Sequence, residues 1–246
     1  MRRFFVKRDR INKGKAILEG SEARHVGKVL RLGVGDSLYL LDEKGWEYKA
    51  VITSKSSKTV EVEILGKTPP QKESSLTIIL GQALPKAQKM DYVVQKATEL
   101  GVSAIIPFFS ARSVPLLDDE RCRKKLDRWQ RVALEATKQC ARVVVPQIKN
   151  VVPFEDILGK WDDNSLKIML WEDEKKTTLK DVLRKNKSSQ KVVALVGPEG
   201  GFTPDEVNMA KHAGFKTVSL GKYILRTETA GPCLLSILHY ELGDLR

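Results

Sequence analysis

Residues 191–235, KVVALVGPEGGFTPDEVNMAKHAGFKTVSLGKYILRTETAGPCLL, decide the fold of this chain. Two segments within them, VVALV and KTVSL, have the composition of buried strands, and each runs directly into a glycine-bearing loop, GPEGG or GKYILR. Glycine lets a backbone approach a ligand closely, and the strand behind the loop holds it rigidly. The stretch therefore predicts an α/β fold with a small-molecule site at the ends of two strands.

The first glycine loop does not match the common nucleotide-binding motifs. GPEGG lacks the lysine of GxxxxGK[ST] and the spacing of GxGxxG, which argues against a nucleoside triphosphatase and a classical dehydrogenase. The residues after it have a structural explanation, because Thr203 can cap a helix with Pro204 at its first position, Glu206 in a capping box and Gly214 beyond its end. Glu199 has three interpretations: it holds loop amides, contacts a ribose hydroxyl or acts as a base.

The segments before this stretch alternate between strand and helix patterns. The predicted strands are LTIILGQ, AIIPFF, VVVPQI and SLKIMLW, and the predicted helices are KAQKMDYVVQKATEL, residues 118–140 and TTLKDVLRKN. This alternation implies a mostly parallel sheet with helices on both faces. Residues 66–75, GKTPPQKESS, have the composition of a linker, so we predict a domain boundary near residue 72 and an α/β domain over residues 73–246.

Residues 1–72 predict a small β-barrel domain. Their short strand patterns, separated by turn signals, are RFFV, KAILE, SLYLLD, WEYKAVIT and TVEVEIL. One helix interrupts these strands. Ser21 is predicted to cap it, and its apolar stripe is Ala23, Val26, Val29 and Leu30.

The chain is strongly basic, with a formal net charge of +12 over 246 residues. The first 31 residues contain ten Lys and Arg against three Asp and Glu, which favours a polyanionic partner. Arg24, Lys28 and Arg31, on the polar side of the predicted helix, are candidate phosphate contacts. The apolar segments are too short to span a membrane, and no signal peptide is evident. Three widely spaced cysteines favour the reducing cytoplasm and indicate no metal site.

The pair GPEGGFTPDEV and LGKYILRTETA resembles the signature of the ribosomal RNA small subunit methyltransferase E family of the SPOUT superfamily. The segments RRFFV, HVGKVLRLGVGD, KMDYVVQKATELGVSAIIPF and RWQRVALEATKQCAR agree, so the resemblance covers essentially the whole chain. It implies methyl transfer from S-adenosylmethionine to N3 of one uridine in 16S ribosomal RNA of the small subunit. It also implies a SPOUT-type trefoil-knotted domain, a PUA-like barrel in front of it, and a homodimer.

The resemblance also assigns roles to residues. The cofactor would be contacted by Leu170, Leu195, Gly197, Gly201, Leu220, Gly221, Ile224 and Leu225. Arg226 is the expected catalytic residue, which would stabilise a developing uridine anion or hold the uridine phosphate. The residues expected to bind RNA phosphates are Arg2, Arg3, Arg24, Lys28 and Arg31. Glu199 and Glu228 are both candidates for the proton acceptor.

Two other functions are compatible with these residues. One is a SPOUT methyltransferase that acts on another RNA base, and the other is a non-catalytic RNA-binding factor in ribosome assembly. The two loops and Arg226 favour the enzyme. The chain departs from the family at Gly231 and Pro232, where alanine-like residues are usual, and a proline there is either tolerated early in the last helix or bends it.

Overall fold

A computed structural model describes residues 3–42, 44–70, 74–113, 118–159 and 161–245. The chain forms two compact units. The first consists of Met1–Glu73 and Thr137–Val145, and the second of Ser74–Ala136 and Pro146–Arg246. Each unit contains its own sheet. The first unit also includes residues 137–145, which lie far along the chain from its strands.

The first unit is built on a six-stranded sheet in the order β1-β4-β5-β6-β3-β2. Its strands are β1 (Arg3–Phe5), β2 (Ile11–Asn12), β3 (Lys15–Glu19), β4 (Ser37–Leu41), β5 (Glu47–Lys55) and β6 (Thr59–Thr68). Neighbouring strands are antiparallel except β1 and β4. Alternate residues point inward, as Ala16 and Leu18 do in β3, which confirms the predicted strand patterns.

The predicted helix of this unit is shorter and differently built than the sequence indicates. Helix α1 (Gly20–Arg24) has Glu19 at its N-cap position without a side-chain bond, so the prediction of a Ser21 cap is wrong. It continues into a π-helical turn over His25–Val29, in which the Leu30 amide donates to the His25 carbonyl at 3.0 Å. The wider turn breaks the 3.6-residue period after Val26. Val29 and Leu30, predicted to be buried, are therefore exposed.

The second unit contains a seven-stranded parallel sheet in the order β10-β8-β7-β12-β11-β13, with β9 paired to β8. Its strands are β7 (Thr77–Ala83), β8 (Ala104–Phe109), β9 (Gln147–Ile148), β10 (Val152–Pro153), β11 (Leu166–Leu170), β12 (Lys191–Val196) and β13 (Lys216–Val218). Its helices are α2 (Lys89–Glu99), α3 (Asp119–Cys140), α4 (Phe154–Leu158), α5 (Leu179–Lys185), α6 (Pro204–His212) and α7 (Thr227–Leu242). The predicted parallel α/β fold is confirmed.

Helices cover both faces of this sheet. On one face, α4 and α6 pack over a core that includes Phe108, Phe154 and Phe202. On the other face, α7 brings Gly231 next to Leu80 and Gln82 of β7. The central strand β12 is buried on both sides, which explains its uninterrupted apolar sequence.

The two helices that follow the glycine loops begin where the sequence predicts. Helix α6 has a complete capping box between Thr203 and Glu206, and Gly214 lies beyond its end with φ of +84°. Helix α7 begins at Thr227 and contains Pro232 in its interior, so the proline does not displace the helix start.

Candidate functional site

A cavity of about 420 Å³ lies at the carboxyl ends of β11, β12 and β13. These three strands include two neighbouring parallel pairs, so the loops that leave them meet at the same edge of the sheet. The loops after the three strands supply most of the cavity wall, and Lys89 and Ala230 complete it. The cavity therefore lies where the sequence predicts a small-molecule site, and a third strand contributes to it.

Most of the residues expected to bind the cofactor line this cavity. They are Leu170, Gly197, Gly201, Leu220, Gly221, Ile224 and Leu225, and Arg226 lines it as well. Leu195 is placed differently: its side chain is fully buried in the core beneath α4 and α6, where it closely faces Gly81. Because side chains alternate along a strand, the next residue, Val196, takes the place at the cavity wall.

Gly201 is required by both its backbone and its surroundings. Its φ is +68°, and a β-carbon added to it would overlap the carboxylate of Glu172. Gly197 is nearly as restricted, since a β-carbon there would lie 3.1 Å from the Phe202 ring. The loop after β12 therefore passes close to the loop after β11 without a side chain between them.

Lys89 joins two carboxylates at the cavity. Its Nζ lies 2.9 Å from Oε1 of Glu199 and 3.4 Å from Oε2 of Glu228. Glu199 also accepts a hydrogen bond from the amide of Lys86 at 3.0 Å. Lys89 was not among the predicted site residues, although its place near the start of a helix that follows a strand was visible in the sequence.

The protonation state of Glu199 follows from these contacts. Partial burial pushes the pKa of its carboxyl up, but the hydrogen bonds from Lys89 and from backbone amides outweigh burial and leave the pKa below its ordinary value. The pKa of Lys89 is raised, chiefly by its hydrogen bond to Glu199. Glu199 is thus a paired carboxylate that holds the loop before α2, close to the first of its three predicted roles.

Arg226 occupies the N-cap position of α7, and its side chain is exposed at the cavity. A purely structural role for Arg226 would be an ion pair with a neighbouring carboxylate such as Glu228. Glu228 pairs with Lys89 instead. Within the described residues, the Arg226 guanidinium makes no hydrogen bond or ion pair. The cation is therefore available to a ligand.

A buried polar pair at the cavity, Gln82 and Thr227, was not among the predicted site residues. Gln82, at the end of β7, donates from Nε2 to Oγ1 of Thr227 at 2.9 Å, and this hydroxyl donates to the carbonyl of Gly197 at 2.6 Å. A glutamine inside the otherwise apolar segment LTIILGQ was the available signal, since buried polar side chains need a partner. The pair connects β7, the loop after β12 and the start of α7.

The residues expected to bind RNA divide into two groups. Arg24, Lys28 and Arg31 are exposed around the π-helical turn. Arg3 is engaged within its own unit, because it pairs with Glu47 at 2.7 Å and donates to the Ala141 carbonyl at 3.0 Å, leaving 13% of its side chain exposed. Arg2 lies outside the described residues.

Neither a metal-binding cluster nor a membrane-spanning helix is present in the part of the chain that the structure describes. Its His, Cys, Asp and Glu side chains form no cluster of three or more suited to a metal ion. None of its helices is both long enough and apolar enough to cross a membrane.

Known proteins resemble this chain over its whole length. Residues 72–239 match the family described as RNA methyltransferase domain, and residues 18–65 match the RNA methyltransferase PUA domain. The chain is 32% identical over 253 residues to ribosomal RNA small subunit methyltransferase E of Bacillus subtilis, covering 100% of this chain and 99% of that protein. The Aquifex aeolicus protein of the same name is 33% identical over 227 residues, covering 90% and 93%.

A solved structure matches the fold equally well. The crystal structure of a ribosomal RNA small subunit methyltransferase E from Neisseria gonorrhoeae, bound to S-adenosylmethionine, superposes with a TM-score of 0.89 at 33% identity. The match covers 100% of both chains. The predicted combination of a PUA-like front domain with a SPOUT-type α/β domain is thereby confirmed.

Proposed function

Because the chain belongs to the ribosomal RNA small subunit methyltransferase E family, we propose that it methylates N3 of a specific uridine in 16S ribosomal RNA, with S-adenosylmethionine as methyl donor. The observation that carries the proposal is the cavity formed by three loops at the sheet edge, in a fold that matches a relative solved with this cofactor. Ribosomal RNA as substrate also favours the cytoplasm as the place of action.

The residues of the cavity fit the cofactor chemically. An adenine ring needs an apolar slot with nearby backbone donors and acceptors, which Leu220, Ile224 and Leu225 would provide. Gly197 and Gly201 would allow the backbone to come close. The carboxylate of Glu172 also lines the cavity, where it would favour the positive charge of a sulfonium ligand.

Bound S-adenosylmethionine would supply an electrophilic methyl group for an in-line displacement, and the protein would align the uridine nitrogen with it. N3 of uridine carries a proton and becomes a good nucleophile only when that proton is lost. We assign Arg226 to stabilise the resulting negative charge on the uridine oxygens, because its cation is unpaired within the described residues. Both candidate proton acceptors contact Lys89, but Glu199 also accepts a hydrogen bond from the Lys86 amide, which favours positioning for Glu199 and leaves Glu228 to accept the N3 proton.

The first unit would bind RNA through its exposed cations. Arg24, Lys28 and Arg31 are suited to phosphate contacts, whereas Arg3 is held by Glu47. Because N3 lies on the pairing edge, the target uridine has to be unpaired or flipped out. A naked 16S RNA and an assembled small subunit are both compatible with these contacts.

We propose a homodimer as well. Tyr223 and Ile224 lie on the loop after β13 with 74% and 81% of their surface exposed. A second copy of the chain would cover these apolar side chains at the cavity rim. The trefoil knot implied by the family resemblance stays a prediction alongside the dimer.

The test combines cofactor binding with a chemical readout on RNA. Calorimetry is expected to show binding of S-adenosylmethionine, and reverse transcription of 16S RNA is expected to stop at one uridine, because a methyl at N3 blocks pairing. Arg226→Ala should remove the stop while cofactor affinity changes by less than about threefold, since the cation acts mainly on the transition state. Arg184→Ala, an exposed arginine in the last turn of α5, is the matched control.

Four outcomes would contradict parts of this proposal. Absence of binding at millimolar cofactor would exclude the methyl donor. Binding without any new stop on RNA would favour the non-catalytic assembly factor, and a stop on another base or RNA would favour the related methyltransferase. Full activity of Arg226→Ala would refute the role of this residue.

A further inference from the structure

A series of hydrogen bonds runs from buried Gln82 to Thr227 and Gly197, which both line the cavity. Gln82 Nε2 donates to the Ala83 carbonyl at 3.0 Å and to Thr227 Oγ1 at 2.9 Å, and Thr227 Oγ1 donates to the Gly197 carbonyl at 2.6 Å. Gln82 is completely buried and Thr227 is 5% exposed. The two contacts of Gln82 are therefore shielded from water, where a hydrogen bond is stronger and its loss costs more, whereas the contact between Thr227 and Gly197 is only partly buried.

The direction of donation along this series is fixed. A carbonyl oxygen only accepts, so the amide atom that faces Ala83 has to be the nitrogen, and both of its hydrogens are used. The Thr227 hydroxyl then accepts from Gln82 and has to turn its own hydrogen towards Gly197. Only a hydroxyl both accepts and donates from this position, so serine can replace threonine and valine cannot.

The hydrogen bonds connect two parts of the proposed site, the loop after β12 and the start of α7. Gly197 opens the loop after β12 and lines the cavity, and Thr227 is the first residue of α7, directly after Arg226. Since the Arg226 side chain has no partner among the described residues, its position depends on the backbone of this helix start. We propose that Gln82 and Thr227 are positioning residues, which hold Arg226 at a fixed distance from the cofactor loop.

A purely structural role does not account for Gln82. Its Oε1 is buried without a hydrogen-bond partner among the described residues, which costs stability. A methionine would fill a similar volume in β7 without an unsatisfied oxygen. Packing alone therefore does not explain a glutamine at this position. Its amide donors are what a methionine would lack.

This inference rests on the proposed methyl transfer, and it is tested with four variants of the full chain. Thr227→Val removes the hydroxyl at constant shape, Thr227→Ser keeps it, and Gln82→Met removes the amide donors. Thr98→Val is the matched control, because Thr98 is a fully buried threonine whose hydroxyl donates to Val94 within α2 at 2.7 Å. Each variant is measured for its affinity for S-adenosylmethionine, for kcat and KM with RNA, and for thermal unfolding.

Thr227→Val is expected to lower kcat at least about tenfold and to weaken cofactor binding about fivefold, since small displacements of reacting groups are costly. KM for RNA should stay within about twofold, because neither residue is proposed to contact RNA. Thr227→Ser should recover most of the loss, and Gln82→Met should lower kcat by about fivefold. Thr98→Val should lower the unfolding temperature while kcat and cofactor affinity stay within about twofold.

The proposal is overturned if Thr227→Val unfolds at a lower temperature but keeps the kcat and cofactor affinity of the wild type. It is also overturned if Thr227→Ser is as impaired as Thr227→Val. Should Thr227→Val fail to fold, Gln82→Met decides, and an unchanged kcat in that variant refutes positioning. A wild-type chain that does not bind the cofactor refutes the proposed function instead, so the two failures are distinguishable.

Discussion

Replacing Gly201 by alanine is expected to damage the cofactor loop in two separable ways. The φ of +68° places Gly201 in the left-handed region, where an L-residue costs about 1–2 kcal/mol more than glycine. The new β-carbon would also overlap the Glu172 carboxylate, which is an exposed end of a flexible side chain and can rotate at a cost of about 0.5–1.5 kcal/mol. Together these effects predict a loss of about 1.5–3.5 kcal/mol.

Urea unfolding measures the loss of stability, and calorimetry measures the loss of affinity for S-adenosylmethionine. If the loop moves to relieve the strain, affinity for S-adenosylmethionine falls about tenfold for each 1.4 kcal/mol, so the expected loss is between about tenfold and about three-hundredfold. Adding Glu172→Ala to Gly201→Ala removes the overlap and should restore only the smaller part of the stability. If Gly201→Ala alone is as stable as the double variant, the overlap contributes nothing to the loss of stability.

Gly159→Ala is the matched control in the same unit. Its φ is −92°, and a β-carbon there would meet no heavy atom within 4 Å, so stability should change by less than about 0.5 kcal/mol. The reasoning about Gly201 is refuted if Gly201→Ala resembles Gly159→Ala in both unfolding free energy and cofactor affinity.

Two further predictions concern charge. Because the pKa of Glu199 is lowered, its ion pair contributes fully above its ordinary pKa of about 4.5 and is lost only as the pH falls through the lower folded value. The profile of kcat against pH should therefore show no ionisation of Glu199 between about pH 5 and about pH 9. A change of kcat with pH in this range that Glu199→Gln abolishes would contradict this prediction. Neutralising Arg24, Lys28 and Arg31 together should reduce the salt dependence of RNA binding, by a slope of about 2 if three single-stranded phosphate contacts are lost. Arg3→Met should destabilise the first unit without changing this slope, and a slope unchanged in the triple variant would exclude the turn as the RNA contact.

The parts of the fold that depend on local sequence were predictable. The capping box of Thr203 and Glu206 involves residues three positions apart, and its geometry follows from their types. The buried strand β12 and the two glycine loops also follow from patterns of a few residues. The family resemblance then placed seven of the eight cofactor-site residues where the cavity lies.

The remaining features depend on contacts between distant parts of the chain or on backbone detail. Leu195 was assigned to the cofactor site by the family resemblance, and the local sequence does not say which face of a doubly buried strand its side chain takes. The bond from Lys86 to Glu199 spans 113 positions, and that from Arg3 to Ala141 spans 138, so no local pattern indicates them. The π-helical turn adds one residue to a helical turn, which a 3.6-residue period cannot anticipate.

Pro232 changes the mechanical character of α7. Proline has no amide hydrogen, so the carbonyl of Glu228 receives no bond from it, and the helix is one hydrogen bond weaker just after its first turn. That first turn is meanwhile fastened to the loop after β12 through Thr227. We therefore expect the backbone of Arg226 to follow the loop after β12 more closely than it follows the part of α7 beyond Pro232.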